Sequence, residues 1–331
     1  MDTVETARGA VDVNRLGATL MHEHIFIRNP ELEINYPNET WAGTDFIALA
    51  RDKFSALKDR GIDTLVDLTV LGLGSDIRLI QAVVDKLDFE FNIILATGYY
   101  TYKDVAPYFR MHGPGRRVDV PEPLDAMFLK DIRQGIGGSS LKAALIKIAT
   151  DDYGFTADLE RVFAAAARVH LETGVPITTH TSAKKKGGLD QQAFLKKHGV
   201  DLRNVIIGHC GDSNDLDYLQ QVADAGSIIG MDRFGIDSYN GPEDRIATVA
   251  EMCRRGYADR MILSHDAAVF SINTEPQHRA RVFPNWHYNY VSDTVIPELR
   301  KRGVSEAQIR QMMVENPKRI LVPSRPERSL A

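Results

Sequence analysis

The sequence predicts a single (β/α)8 TIM barrel. Two observations carry this: eight short β-branched or apolar runs, each followed by a helical pattern, and no Gly-rich phosphate turn after any of them. The runs are Thr19–His24, Thr64–Thr69, Asn92–Gly98, Ala143–Ala149, Pro176–His180, Val205–His209, Ser227–Asp232 and Met261–Asp266. They recur roughly every 35 residues, about the length of one strand–helix unit. After the first run, Phe46, Leu49, Phe54 and Leu57 fall near helical spacing, with Arg51, Lys53, Lys58 and Asp59 toward the other face. The fourth run is apolar through Ala143-Ala144-Leu145-Ile146, as suits a parallel strand buried on both sides, and the sixth reads Val205-Ile206-Ile207. The Ala-rich helix Leu159–Glu172 stops at Gly174, a suitable C-cap. A last helix, Ser305–Glu315, is expected to end at Asn316-Pro317. A doubly wound sheet, the competing architecture, needs a GxGxxG turn that is absent.

No linker divides the chain, so residues 1–322 read as one domain and 323–331 as a frayed tail. The longest irregular stretches, Tyr99–Pro123 and Ala267–Trp286, follow the third and eighth runs, which puts both on the face where barrel enzymes build their sites. Forty basic against forty-five acidic residues give a net charge of −5, which argues against a nucleic-acid partner. No apolar stretch reaches the ~20 residues of a membrane span, and the start Met1-Asp2-Thr3-Val4-Glu5 lacks the basic end of a signal peptide. Two cysteines, Cys210 and Cys253, exclude a disulfide framework. A cytoplasmic protein is expected.

Ten histidines are present, and any one alone reads as a surface or capping residue. His198 before Gly199 suits a helix C-terminus. His22, His24, His180 and His209 differ, because all four fall at the C-terminal ends of barrel strands. His22-Glu23-His24 places two imidazoles on one face of a strand, ~6.6 Å apart along it, from where they can converge on one metal. Asp266 closes the eighth run, where it reads either as the N-cap of a following helix or as ligand and base. His265 then faces the helix layer. Lys147 lies inside the apolar fourth run, where an ammonium needs a partner, must lose its proton or must snorkel to the strand end. A further option is chemical: the neutral amine takes up carbon dioxide and becomes a carbamate, an anionic ligand able to bridge two metals. Charge counting favours it, since two divalent ions otherwise face four neutral imidazoles and one aspartate.

The chain resembles the phosphotriesterase family of the amidohydrolase superfamily, most closely its phosphotriesterase-like lactonase branch. The resemblance rests on Leu20-Met21-His22-Glu23-His24, Ala96-Thr97-Gly98-Tyr99-Tyr100, Ile146-Lys147, Thr179-His180-Thr181, Gly208-His209-Cys210-Gly211-Asp212, Met231-Asp232-Arg233-Phe234-Gly235 and Leu263-Ser264-His265-Asp266, in order on successive strands. It implies a hydrolase with two divalent metal ions (Zn, Co, Mn or Fe): His22, His24 and Asp266 on the buried one, His180 and His209 on the exposed one. N6-carboxylysine at Lys147 bridges them. Asp266 is implied as catalytic base, Tyr100 and Arg233 as catalytic and substrate-orienting groups, and Asp212 and Asp232 as supports for the ligands. The segment Ala267–Trp286 resembles the loop that covers an acyl channel in the lactonases, with Phe270 and Trp286 as substrate-binding residues and Ile272, Val282 and Phe283 as further lining. The triple lysine Lys184-Lys185-Lys186 departs from the pattern and reads as a solvated face. The implied substrate is a small-molecule lactone, the N-acyl-homoserine lactones of quorum signalling first among them, and the implied assembly a homodimer. A dedicated phosphotriesterase and a catalytically silent metal-binding homologue are the alternatives.

Overall fold

A computed structural model describes residues 2–36, 43–274 and 276–324. A hairpin, β1 (Thr3–Thr6) and β2 (Gly9–Asp12), precedes the barrel. The barrel strands are β3 (Ala18–Ile27), β4 (Ile62–Asp67), β5 (Asn92–Tyr99), β6 (Ala143–Ala149), β7 (Ile177–His180), β8 (Val205–Ile207), β9 (Ile228–Met231), β10 (Met261–Leu263) and β11 (Ala268–Ser271). They form one parallel sheet in the order β10-β9-β8-β7-β6-β5-β4-β3-β11. The expected TIM barrel is therefore observed. Its eighth position is shared by β10 and β11, because Ser264–Ala267 leave the ladder between them.

Helices separate the strands and are capped as their sequences require. Asp45 accepts from Ala48 N at the helix Phe46–Lys58, and Thr156 caps Ala157–Thr173, which stops at Gly174 in the left-handed region (φ 76°). The lumen is filled by Met21, Val66, Ile94, Leu145, Ile206, Ile228 and Ile262. Leu16 and the carboxyl-terminal Ile320 and Leu321 join that cluster. Leu65, Ile146, Ile148, Ile207 and Leu263 point the other way, into the helix layer. Among the described residues no helix is long and apolar enough to cross a membrane.

Five expectations change. The eighth strand stops at Leu263 instead of Asp266, and the sixth at Ile207 instead of His209, because Asp266 and His209 take left-handed backbone (φ 55° and 61°) that no ladder accommodates. The stretch Ala267–Trp286 is not irregular: it holds β11 and a helix, Pro276–Val282. Tyr99–Pro123 contains a short helix, Pro107–Met111. The last helix runs on through Pro317 to Leu321, because a wide π turn at Gln311–Glu315 makes room for the ring. Of the expected frayed tail, residues 325–331 lie outside the described residues, whereas Ser324 N donates to Gly174 O at 2.8 Å.

One register shift sets which way the first pair of histidines faces. Leu20 pairs with Leu65 and Glu23 with Asp67, so β3 carries one more residue than β4 between these pairs. Leu20 faces the helices and Met21 the lumen. Strict alternation would then turn His22 and His24 outward. The bulge inverts the phase and brings both into the barrel mouth.

Asn316 is fully buried and its Nδ2 donates to the carbonyls of Ala258 and Met261 at 2.8 and 2.7 Å, pinning the last helix under β10. Asn316→Ala should lower the unfolding free energy by about 1–3 kcal/mol for each carbonyl left unpaired, with kcat/KM at 25 °C unchanged. An unmoved urea midpoint would show that the pin contributes nothing.

Candidate metal centre

The strand ends and the turns that follow them converge on one cavity of about 580 Å³, lined by His22, His24, Lys147, His180, His209 and Asp266 together with Tyr100, Arg233 and Trp286. Asp266 Oδ1 lies 3.0 Å from His24 Nε2 and 3.6 Å from His22 Nε2; its Oδ2 lies 3.9 Å from His209 Nε2. Lys147 Nζ is 3.2 Å from His22 Nε2 and 3.3 Å from the carbonyl of Thr179.

Each imidazole shows the cavity one nitrogen and has the other tied behind. His22 Nδ1 and His209 Nδ1 both donate to Asp232, at 2.7 and 3.0 Å, and the His209 amide adds a third bond to the same carboxylate at 2.8 Å. His24 Nδ1 donates to Thr69 Oγ1 at 2.8 Å, whose hydroxyl donates to Asp67 at 2.6 Å. His180 is reversed: its Nε2 lies 3.4 Å from Asp151, leaving Nδ1 toward the cavity. Back-side bonding of this kind fixes tautomer and ring plane in metal sites. His22, His209 and Asp232 are also close enough to form a ligand group of their own. The Asp232 oxygens are taken up by N–H donors, so that trio orients the rings.

The electrostatics agree with a cation-binding role. Burial lowers the pKa of His22, of His180 to about 4 and of His209 well below the imidazole range, so all three are neutral and carry free lone pairs. Burial opposes ionisation of Asp266 and Asp232, yet the N–H groups of His22 and His209 on Asp232 and the Arg233 guanidinium on Asp266 favour the charged forms, and both carboxyls lie well below the usual range. Burial also lowers Lys147 to about 8. Among the described residues this lysine has no ion-pair partner. Neutral imidazoles, an ionised carboxylate and a deprotonable amine in one cavity fit two divalent ions.

Arg233 spans the site: Nε to Asp266 Oδ2 and Nη1 to Asp212 Oδ2, both 2.9 Å, with its guanidinium 4.8 Å from the ring centre of Tyr239. Asp212 also accepts from the buried Arg245, so it supports the arginine and no histidine. Tyr100 OH lies 3.0 Å from His180 Nδ1 and 2.6 Å from Tyr102 OH. Trp286 forms part of the wall and its Nε1 donates to the carbonyls of His265 and Asp266, each at 3.0 Å. Phe270 is a correction. It packs edge-on against Phe46 at 4.8 Å in the helix layer, and Ser271 beside it reaches the cavity, because alternation is lost within β11: the adjacent Val269 and Phe270 both pack on the helix side. Of the other expected lining residues Phe283 reaches the cavity, while Ile272 and Val282 do not. His265 faces the helix layer as expected, fully buried. His198 sits at a helix C-terminus, bonded to the Phe194 carbonyl at 2.8 Å. In the triple lysine, Lys184 and Lys185 are exposed and Lys186 pairs with Asp215 at 2.6 Å.

Four contributors escaped the sequence reading: Asp151, Thr69, Tyr102 and Glu23. Asp151 and Thr69 stand just past or at strand ends, a positional signal that could have found them. Tyr102 is two residues beyond Tyr100. Glu23, between the two histidines, points away from the cavity.

The phosphotriesterase family model matches residues 2–321. A phosphotriesterase homology protein of Mycobacterium tuberculosis is 48% identical over 322 residues, covering 97% of this chain and 98% of the relative. An aryldialkylphosphatase of Saccharolobus solfataricus is 34% identical over 314 residues, covering 94% and 97%. The solved structure of the phosphotriesterase from Mycobacterium tuberculosis superposes with a TM-score of 0.93 at 47% identity, covering 97% of this chain and 98% of that one.

Because Asp232 alone aligns two imidazoles, Asp232→Asn should weaken zinc binding by about 10–100-fold in equilibrium dialysis. Wild-type affinity in that variant would remove Asp232 from the ligand architecture.

Proposed function

This chain belongs to the phosphotriesterase family of metal-dependent hydrolases, and from that premise we propose that it opens lactone rings, N-acyl-homoserine lactones being the first class to test and quenching of quorum signals the consequence. His22, His24 and Asp266 would hold one divalent ion, His180 and His209 a second, and a carboxylated Lys147 would contact both. Zn, Co, Mn and Fe all suit such donors. Bound there, the ions would lower the pKa of water toward neutrality and polarise the substrate carbonyl.

The chain's own groups supply the rest. Asp266, ionised at neutral pH, accepts the proton of the attacking water and passes it toward the leaving alkoxide. Arg233, held from two sides by Asp266 and Asp212, directs its remaining N–H groups at the substrate. Tyr100 and Tyr102 set the height of the opening above His180.

The observation that carries the lactone reading is this crowding. Tyr100 OH and an Arg233 nitrogen stand 3.0 and 3.4 Å from the same His180 nitrogen. A planar ester with a tethered leaving oxygen needs less room beside these two groups than a tetrahedral phosphorus with three diverging substituents. The phosphotriesterase reading is supported by the aryldialkylphosphatase relative. A silent homologue is disfavoured by the complete ligand set and by an Asp266 held ionised.

A panel of γ- and δ-lactones and N-acyl-homoserine lactones beside a phosphotriester, on metal-quantified protein, tests this. At least one lactone should exceed every phosphotriester in kcat/KM. Arg233→His, which opens the mouth, should raise the phosphotriester-to-lactone ratio by about 10- to 200-fold. The reverse order across the panel would make the protein a phosphotriesterase.

Carboxylation of Lys147 has its own test. Only the neutral amine reacts with carbon dioxide, and the neutral fraction rises with pH toward and past the pKa. With Lys147 at about 8, about half is neutral at pH 8, against well under a hundredth of an ordinary lysine. Apoprotein given zinc in carbon-dioxide-depleted buffer should regain activity slowly. At fixed dissolved carbon dioxide, recovery should quicken as pH rises from about 6 to 8 and level off above. Recovery indifferent to carbon dioxide would exclude the carbamate.

A further inference from the structure

The barrel has a seam that no continuous strand ladder closes. β10 ends at Leu263 and makes no ladder with β3; only β11 resumes pairing there. Two backbone bonds cross the gap, Asp266 N to His22 O at 3.0 Å and His24 N to Ala267 O at 2.8 Å, and between them one carboxylate spans it. Glu23, fully buried on β3, accepts at Oε1 from Ser264 Oγ (2.8 Å), His265 N (2.9 Å) and His265 Nδ1 (2.6 Å), and at Oε2 from Ala267 N (2.9 Å). Ser264 Oγ in turn accepts from His22 N at 3.0 Å. The amides immediately before and after Asp266 are thus bound to the two oxygens of one side chain. Between them Asp266 holds a φ of 55°, sparsely populated for a non-glycine residue and maintained only where the surroundings over-determine it. Its own amide donates to His22 O at 3.0 Å.

We propose that Glu23 is the positioning residue for Asp266: by clamping the flanking amides onto the strand that carries His22 and His24, it sets the aspartate in register with both histidines. The inference rests on the reading of Asp266 as ligand and base. The chemistry requires a carboxylate. All four partners are donors, since His265 Nε2 accepts from Val291 N at 2.9 Å and so carries its proton on Nδ1. Glutamine in either flip sets an NH2 against an N–H. Aspartate is one methylene too short to span the gap.

The test is a double-mutant cycle on zinc-reconstituted full-length protein, Glu23→Gln against Asp266→Asn. It reads kcat and KM on the best substrate of the panel, zinc bound per chain, and the thermal midpoint. Alone, Glu23→Gln should lower kcat about 10²-fold, lower bound zinc, and leave KM and the folded state in place. In the Asp266→Asn background it should cost no more than about twofold further in kcat. Wild-type kcat in Glu23→Gln, or a full repeat of its loss in the Asp266→Asn background, overturns the proposal. Should Glu23→Gln fail to fold, Ser264→Ala takes its place in the same cycle, with an expected loss of about tenfold and the same additive outcome counting against the idea. If Asp266→Asn keeps both zinc ions and full turnover, the reading of Asp266 falls, and the positioning role with it.

Discussion

An imidazole buried at the mouth of a barrel has two polar nitrogens, and only one of them can face the cavity. That constraint organises the site. The nitrogen behind the ring must find an acceptor in the wall, and whichever acceptor it finds decides the direction of the free lone pair. Asp232 does this for His22 and His209 at once, Thr69 for His24 and Asp151 for His180. Three rings thereby present Nε2 and one presents Nδ1. Four lone pairs then point into a cavity with one carboxylate and one amine, an arrangement with little use except to hold cations.

The same cavity forces an unusual charge balance. Removing a lysine from water costs far more than an unpaired ammonium can recover, so Lys147 sits among imidazoles as an amine that gives up its proton readily. Asp266 and Asp232 bear the negative charge, each stabilised by histidines that hydrogen-bond or face it. Arg233 links Asp266 to Asp212, and Asp212 to Arg245, so positive and negative groups alternate outward from the centre. Such a chain is neutralising, and it restrains Arg233, whose Nε and Nη1 are each bonded to a different carboxylate.

Regular β geometry is abandoned where chemistry is placed. A bulge in β3 turns His22 and His24 inward, His209 leaves β8 in left-handed backbone, and Asp266 does the same between β10 and β11. Each irregularity is held by bonds from a neighbouring strand, so strain at one position is offset by satisfied groups around it. The barrel below, packed with Met21, Val66, Leu145 and Ile206, supplies the rigidity that makes those bonds worth forming.

Strand and helix alternation, the barrel, and the identity of the donor residues were legible in the sequence, because they depend on local periodicity and on residue type at strand ends. The phase of a strand was not. Whether His22 or Glu23 faces the lumen depends on one extra residue relative to β4, and whether Phe270 or Ser271 lines the cavity depends on a loss of alternation inside β11. Asp151 and Thr69 were invisible as partners for the same reason that the double role of Asp232 was: their bonds join residues far apart in the chain. The sequence by itself determined which side chains could carry protons or bind cations here. Only the tertiary structure decided which nitrogen of each ring faces the cavity, since that choice belongs to the acceptor behind it, and the acceptor comes from another strand.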